Sequence, residues 1–287
     1  MKAKKGFTLI ELLAVIAIIA LLIGIILPAL KAAKIQAQMV ICMTNLNGLS
    51  KAWIAFPNDN NGNLVNGNVP VYTSGYNILN HQNPPPYWVS PPQDENYIYT
   101  GSPTQSPGPP TLEQKKLGII RGDLFPYIGN VESYRCPGDL GRTMVPNSQN
   151  PHPENVNYRS YCISDMMNGW NPTKDRRVAA KITHILNPGN KFVFVETFDP
   201  RGWLMGGWRF VPESAPPQSD TLTMWHKKRS GFGFADGHAE MHTWTDPDII
   251  RSAENPNVDW FSYTNVNSDD YKFLVRGYIP VQSSAKP

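Results

Sequence analysis

The sequence predicts an α+β chain in which one long N-terminal helix, apolar in its first half, packs its second half on an antiparallel β-sheet with long loops. Three features carry that expectation: an uncharged apolar run, an amphipathic stripe that continues it, and a turn-rich remainder with short strand signals. From Leu12 to Leu30 there are 19 residues without a charge. A helix of that length crosses a hydrocarbon core of about 30 Å. Lys2, Lys4 and Lys5 precede it. A basic flank stays on the cytoplasmic side, which places the chain beyond Leu30 outside the cytoplasm. The run is longer than the apolar core of a cleaved signal, and no small-x-small cleavage site follows it. Glu11 stands near its start, and a carboxylate at that depth marks a partner or a function.

After Leu30 the pattern turns amphipathic. Ile35, Met39, Cys42, Leu46, Leu49, Trp53 and Phe56 recur at alternating intervals of four and three, one stripe of a helix. Pro57 and the run Asn58-Asp59-Asn60-Asn61-Gly62 end it. One helix from about Phe7 to about Phe56 is therefore expected, with a kink or local loosening at Pro28.

The remainder is rich in turns. The chain has 27 prolines and 22 glycines in 287 residues, above the usual Pro and Gly share yet short of low complexity. Its 41% hydrophobic and 17% charged residues allow a packed core. A net charge of +3 without a long basic run excludes a dedicated nucleic-acid binder. Negative mean hydropathy excludes a polytopic membrane protein. Loops are expected at 83–86, 90–92, 101–110 and 141–156, and short helices at 112–118 and 122–128. Strand signals fall at 87–89, 97–99, 192–198, 203–211, 231–235, 238–244, 260–263 and 271–279. Asp236-Gly237 between two of these runs reads as a hairpin with a two-residue type I′ turn.

The N-terminal residues Lys5-Gly6-Phe7-Thr8-Leu9-Ile10-Glu11 resemble the processing signal of type IV prepilins and type II secretion pseudopilins. The resemblance implies a pilin-like fold and cleavage by a prepilin peptidase between Gly6 and Phe7, with N-methylation of Phe7. It divides the chain into a leader at 1–6, a transmembrane and assembly half-helix at 7–30, and an exported head at 31–287. It implies that Glu11 of one subunit neutralises the Phe7 amine of another, which avoids two unpaired charges in low dielectric. The expected partners are that peptidase, other pilin-type subunits and the bacterial inner membrane, crossed once with the head periplasmic.

A second resemblance lies in the head. His226, nine intervening residues and Asp236-Gly237 are similar to the prepilin-type family named for an H-X9-DG motif. Weaker pieces agree in style, among them Leu124 to Ile128, Tyr134 to Asp139 and Tyr158 to Tyr161. This family adds architecture and compartment, not a substrate. In the motif, His226 is expected to hydrogen-bond the hairpin or its turn.

The three cysteines, Cys42, Cys136 and Cys162, sit in a compartment that permits disulfides, and the odd count leaves at least one unpaired. Cys42–Cys136 is the favoured pair, because Cys42 lies on the core stripe and Cys136 in a Pro-Gly turn. Three free buried thiols are the alternative. His238, Glu240 and His242 share one face of a strand and, with His226 and Asp236, form a weak nitrogen and oxygen metal set. A solvated ribbon face is the stronger reading. Asp59 and Asn61 resemble part of a calcium loop, but Pro57 stands where an acid is needed, so an Asn-Gly turn is favoured over calcium. No cofactor is otherwise expected. Trp203, Trp208, Trp225 and Trp244 are read as core, with sugar stacking the alternative. No nucleophile signature or phosphate-cradling loop is present, so no enzyme is expected. The functional expectation is a structural subunit, pseudopilin-like or minor pilin-like, of a type II secretion or type IV pilus filament. The alternative is a membrane-anchored binding module, for polysaccharide, that uses the helix as an anchor.

Overall fold

A computed structural model describes residues 9–69, 77, 79, 85–99, 110–139, 158–169, 175–198, 207–254 and 260–281. The leader, Gly6, Phe7, Trp203 and most of the loops at 83–84, 101–109 and 141–156 lie outside the described residues. Helix α1 runs Leu9–Asp59, 51 residues, about 75 Å at 1.5 Å per residue. It continues through Pro28 and ends three residues later than the stripe suggested. Its end is capped by Asn61 and Gly62, both at positive φ, with the Gly62 N–H donating to the Pro57 carbonyl at 2.8 Å.

The remaining elements follow in order: α2 Leu112–Ile120, β1 Tyr161–Ile163, β2 Phe192–Glu196, β3 Phe210–Val211, β4 Gln218–Asp220, β5 Arg229–Phe234, β6 Ala239–Thr243, α3 Pro247–Glu254, β7 Trp260–Ser262 and α4 Asp269–Tyr278. Strands β1-β2-β5-β6 form one antiparallel sheet and β3-β4-β7 a second. This is the mixed, pilin-like α+β architecture that the sequence predicts.

The four-stranded sheet separates two cores. On one face α1 lays Cys42, Leu46, Leu49, Trp53 and Phe56 against Tyr161, Ile163 and Phe194. On the other, Phe192, Phe232 and Phe234 meet Trp208, Phe210 and Trp244, with Phe273, Leu274 and Tyr278 of α4. A break in the β2–β5 register between Phe192 and Phe194 explains how Val193 and Phe194 both face α1. Beyond that bulge the period of two resumes: Val195 faces α4 and Glu196 faces α1.

Strand β5 can lie under α1 because its inward positions are glycines. A Cβ on Gly231 would stand 2.5 Å from Leu46 Cδ1, and one on Gly233 would stand 2.3 Å from Ser50 Oγ. Amide side chains flanking the stripe add ties: Gln38 donates to the Pro137 carbonyl at 2.8 Å, Asn45 to Arg135 at 3.0 Å and Asn47 to Gly237 at 2.8 Å.

Several local expectations are corrected. Of residues 271–279, all but Ile279 lie in helix α4, not in a strand. Ser268 caps it by accepting from the Tyr271 N–H at 3.1 Å, and Asp269 and Asp270 fill its first turn, a start signal that outweighs aromatic strand propensity. Residues 87–89 and 97–99 form only isolated bridges. Of the run at 203–211 only Phe210–Val211 is a strand among the described residues. The helix at 122–128 is a single 3-10 turn at Phe125–Tyr127. The hairpin of β5 and β6 exists, but its turn is not type I′: the Gly237 N–H closes onto the Phe234 carbonyl at 3.0 Å, and of the turn residues only Gly237 has positive φ, +93°.

Candidate functional site

Two regions stand out from the folded frame: the first half of α1 and a buried polar cluster beneath its second half. Every residue from Leu9 to Lys34 is exposed, including Leu, Ile and Val side chains around the whole helix. No described part of the head covers them. This helix is long and apolar enough to cross a membrane. Glu11 lies within the exposed stretch.

The second region gathers side chains from four separate parts of the chain. Cys42 comes from α1, Cys136 from the loop after the turn at Glu132–Tyr134, Glu196 from the end of β2, and His226 from the turn before β5. None is more than 2% exposed, and their ligand-type atoms all lie within 4.8 Å of one another. The Cys42 thiol donates to Glu196 Oε1 at 2.7 Å and accepts from the Tyr161 hydroxyl at 3.2 Å. Cys136 Sγ is 3.1 Å from His226 Nε2, which is 3.6 Å from Glu196 Oε1. Glu196 Oε2 accepts from the Gly231 N–H at 2.7 Å, and Cys136 Sγ from the Gly138 N–H at 3.3 Å. His226 Nδ1 has no hydrogen-bond partner among the described residues, so the imidazole is held by Nε2 alone.

The electrostatics follow from burial and these contacts. Burial alone lowers the His226 pKa, but its contacts with Cys136 and Glu196 outweigh that and raise it to about 9. The Cys136 thiol is lowered by its contact with Cys42, against burial, with His226 adding to the fall. Burial, then the contact with Cys136, pushes Cys42 well up.

The sequence-predicted residues map unevenly onto this arrangement. Cys42 and Cys136 come together, as two free thiols rather than the favoured disulfide. Cys162 likewise forms no disulfide and is buried on the opposite face of the sheet. His226 faces the two thiols and Glu196, not the hairpin turn. Asp236 instead holds that turn by accepting from the His238 N–H at 3.1 Å, while Asn47 of α1 holds Gly237.

The strand-face metal set does not converge. His238 stacks on Phe234 and bonds Asp236, whereas His242 stacks on Phe273 and bonds Asp270 at 2.8 Å. Asp59 accepts from the Tyr127 hydroxyl at 2.7 Å and Asn61 serves the helix cap, which leaves no calcium-type ring of oxygens there among the described residues. Trp208 and Trp244 are core, and Trp225 is half-buried.

Glu196 is the site residue that sequence reasoning missed. Its signal was a single acid closing the apolar run Phe192-Val193-Phe194-Val195, a charge where strand burial leaves no solvent.

Residues 1–27 match the family described as the prokaryotic N-terminal methylation motif. In its N-terminal segment this chain is similar to type IV prepilins and pseudopilins. It is 44% identical over 66 residues to the type IV wide pilus major component PilA4 of Thermus thermophilus, a match covering 23% of this chain and 50% of that protein. The chain thus spans about half the length of the curated relative it matches. No solved structure matches it. The N-terminal segment is thus type IV pilin-like and carries an N-methylation motif, and its exposed apolar helix fits a membrane-anchored, single-pass pilin.

Proposed function

We propose that this chain is a pseudopilin-like or minor pilin-like structural subunit of a type II secretion or type IV pilus-type filament. The observation that carries the reading is the contrast within α1: residues 9–34 are exposed all round while the helix beyond them is clamped to the head. An apolar surface of that extent is stable only in lipid or against copies of itself. The basic leader stays cytoplasmic and the head faces the periplasm. Prepilin peptidase cuts between Gly6 and Phe7, where glycine leaves the scissile bond open, and Phe7 is then N-methylated. As subunits stack, Glu11 compensates the new amine of a neighbour and sets helix register. The protein acts mechanically rather than as an enzyme. The core placement of Trp208 and Trp244 weighs against a sugar-stacking surface and hence against the binding-module reading.

The test is processing and assembly in cells carrying the machinery. Gly6→Val should leave the leader attached, read as intact mass in the membrane fraction. Glu11→Gln should be cut normally yet fail to enter filaments or do so slowly. Normal incorporation of Glu11→Gln would reduce the helix to an anchor.

A further inference from the structure

The geometry points to a structural metal site of zinc type at Cys42, Cys136, Glu196 and His226. It goes beyond the filament reading and is independent of it, since it concerns the head alone.

The chemistry of the donor set is the first argument. Two thiols, one imidazole and one carboxylate are the ligands that a borderline-soft divalent cation takes in four-coordinate tetrahedral sites. Softer copper sites favour more sulfur, and hard calcium or magnesium sites favour oxygen alone.

Geometry is the second. Zinc bonds of about 2.3 Å to sulfur and about 2.0–2.2 Å to nitrogen or oxygen place tetrahedral donors roughly 3.3–3.8 Å apart. The measured separations are 2.7 Å for Cys42 to Glu196, 3.1 Å for Cys136 to His226 and 3.6 Å for His226 to Glu196. The first two need an opening of about 1 Å or less, the third already lies in range, and every remaining donor pair lies within 4.8 Å.

Burial is the third. A carboxylate and an imidazole with no access to water are costly to hold unless paired or bound to a metal. With both thiols deprotonated, zinc balances two of the three negative ligands. One excess negative charge remains, and the Tyr161 hydroxyl and the Gly231 and Gly138 N–H groups already point at the sulfur and oxygen atoms that share it. Binding releases to solvent the thiol protons and the proton that an imidazolium at His226 carries, since each ligand must be deprotonated at its donor atom. A groove of about 360 Å³ beside α1 is lined by Ile35, Met39 and His226 among others, on the imidazole side of the cluster.

The consequence is mechanical. The four ligands belong to α1, the loop after Tyr134, β2 and the turn before β5, so one ion would staple the helix to the sheet at the point where the exposed half-helix begins. That is the joint through which load on a membrane-held or filament-held helix reaches the head.

The test uses the full chain, solubilised in detergent and purified without chelator. Expected is about one zinc per chain by mass spectrometric metal analysis. Exchange for Co²⁺ should give the intense visible bands of a tetrahedral site and a thiolate charge-transfer band, both abolished by Cys136→Ser. Cys162→Ser should change neither. If Cys136→Ser fails to fold, Tyr161→Phe gives the answer, because it keeps the ring and removes one hydrogen bond to the Cys42 sulfur. Metal affinity should then fall by about 10- to 100-fold with the fold intact. Folded wild-type protein that takes up neither zinc nor Co²⁺ would overturn the assignment. So would isolation of the native chain with Cys42 and Cys136 joined as a disulfide, or a Co²⁺ spectrum unchanged by both Cys136→Ser and Tyr161→Phe.

Discussion

The two halves of α1 are built from similar apolar residues and meet opposite surroundings. Leu22 is 52% exposed and Leu46 is fully buried, though both are leucines in one continuous helix. The difference is made by neighbours. Beneath Leu46 lies a strand whose glycines let the helix descend to contact, and beneath Leu22 there is nothing of the described head. An apolar helix therefore specifies that it will be covered; the rest of the sequence decides whether the cover is the chain's own sheet, lipid or another subunit.

The largest effect should come from making the same change in both halves. Leu46→Ala should cost about 2–5 kcal/mol of head stability, the range for buried leucine truncation. Leu22→Ala should change it by less than about 0.5 kcal/mol. Melting of the full chain in detergent measures both, and equal effects would erase the distinction.

A second prediction asks how the far face of the sheet is held. Asp270, buried at the start of α4, accepts from the N–H groups of Thr245 and Asp246 at 2.8 and 2.7 Å and pairs with His242 at 2.8 Å. Asp270→Ala should cost about 3 kcal/mol or more, since two backbone donors lose their acceptor. Burial alone would raise this carboxyl, but the hydrogen bonds from Asp246 and Thr245 prevail and lower its pKa. Its contribution is thus present above the ordinary carboxylate pKa of about 4 and is lost as pH falls through the lowered folded value. The wild-type protein should lose more stability between pH 5 and pH 2 than Asp270→Asn does, read as melting temperature against pH.

Asp165 should behave in the opposite sense. Burial raises its pKa to about 7, with Arg209 opposing, and Oδ1 has no hydrogen-bond partner among the described residues. A raised acid stabilises least when ionised, so its cost grows as pH rises from about 4 through about 7. Asp165→Asn should raise the melting temperature by a few degrees at pH 8 and leave it nearly unchanged at pH 4. A shift of equal size at both pH values would show that ionisation is not the cause.

The same contrast explains what is legible in the sequence. The helix, its membrane-length run and the stripe from Cys42 to Phe56 are readable because burial and period are written in contiguous residues. The β5–β6 hairpin is readable for the same local reason, though its turn is not: Asp236-Gly237 fits more than one hairpin turn, and the observed one needs positive φ only at Gly237. Helix α4 escapes a sequence reading because its aromatic run mimics a strand, while the deciding signal is the short Ser268-Asp269-Asp270 start. The buried cluster is half legible. Cys42 and Cys136 stand out as a pair, and His226 as a motif residue. Their meeting at Glu196 depends on the bulge in β2 and on the close approach allowed by Gly231, neither of which leaves a local pattern.

Helix α1 serves two environments, and crosslinking between subunits along that helix tests this most directly. Single cysteines replace Ile16 and Ile23 in the exposed half and Leu49 in the clamped half, in cells with the pilin assembly machinery, with oxidation in intact membranes. Crosslinked dimers are expected at Ile16 and Ile23, to be lost in the Glu11→Gln background, with none at Leu49. Dimers at Leu49 equal to those at Ile16, or none at either exposed position, would contradict the account.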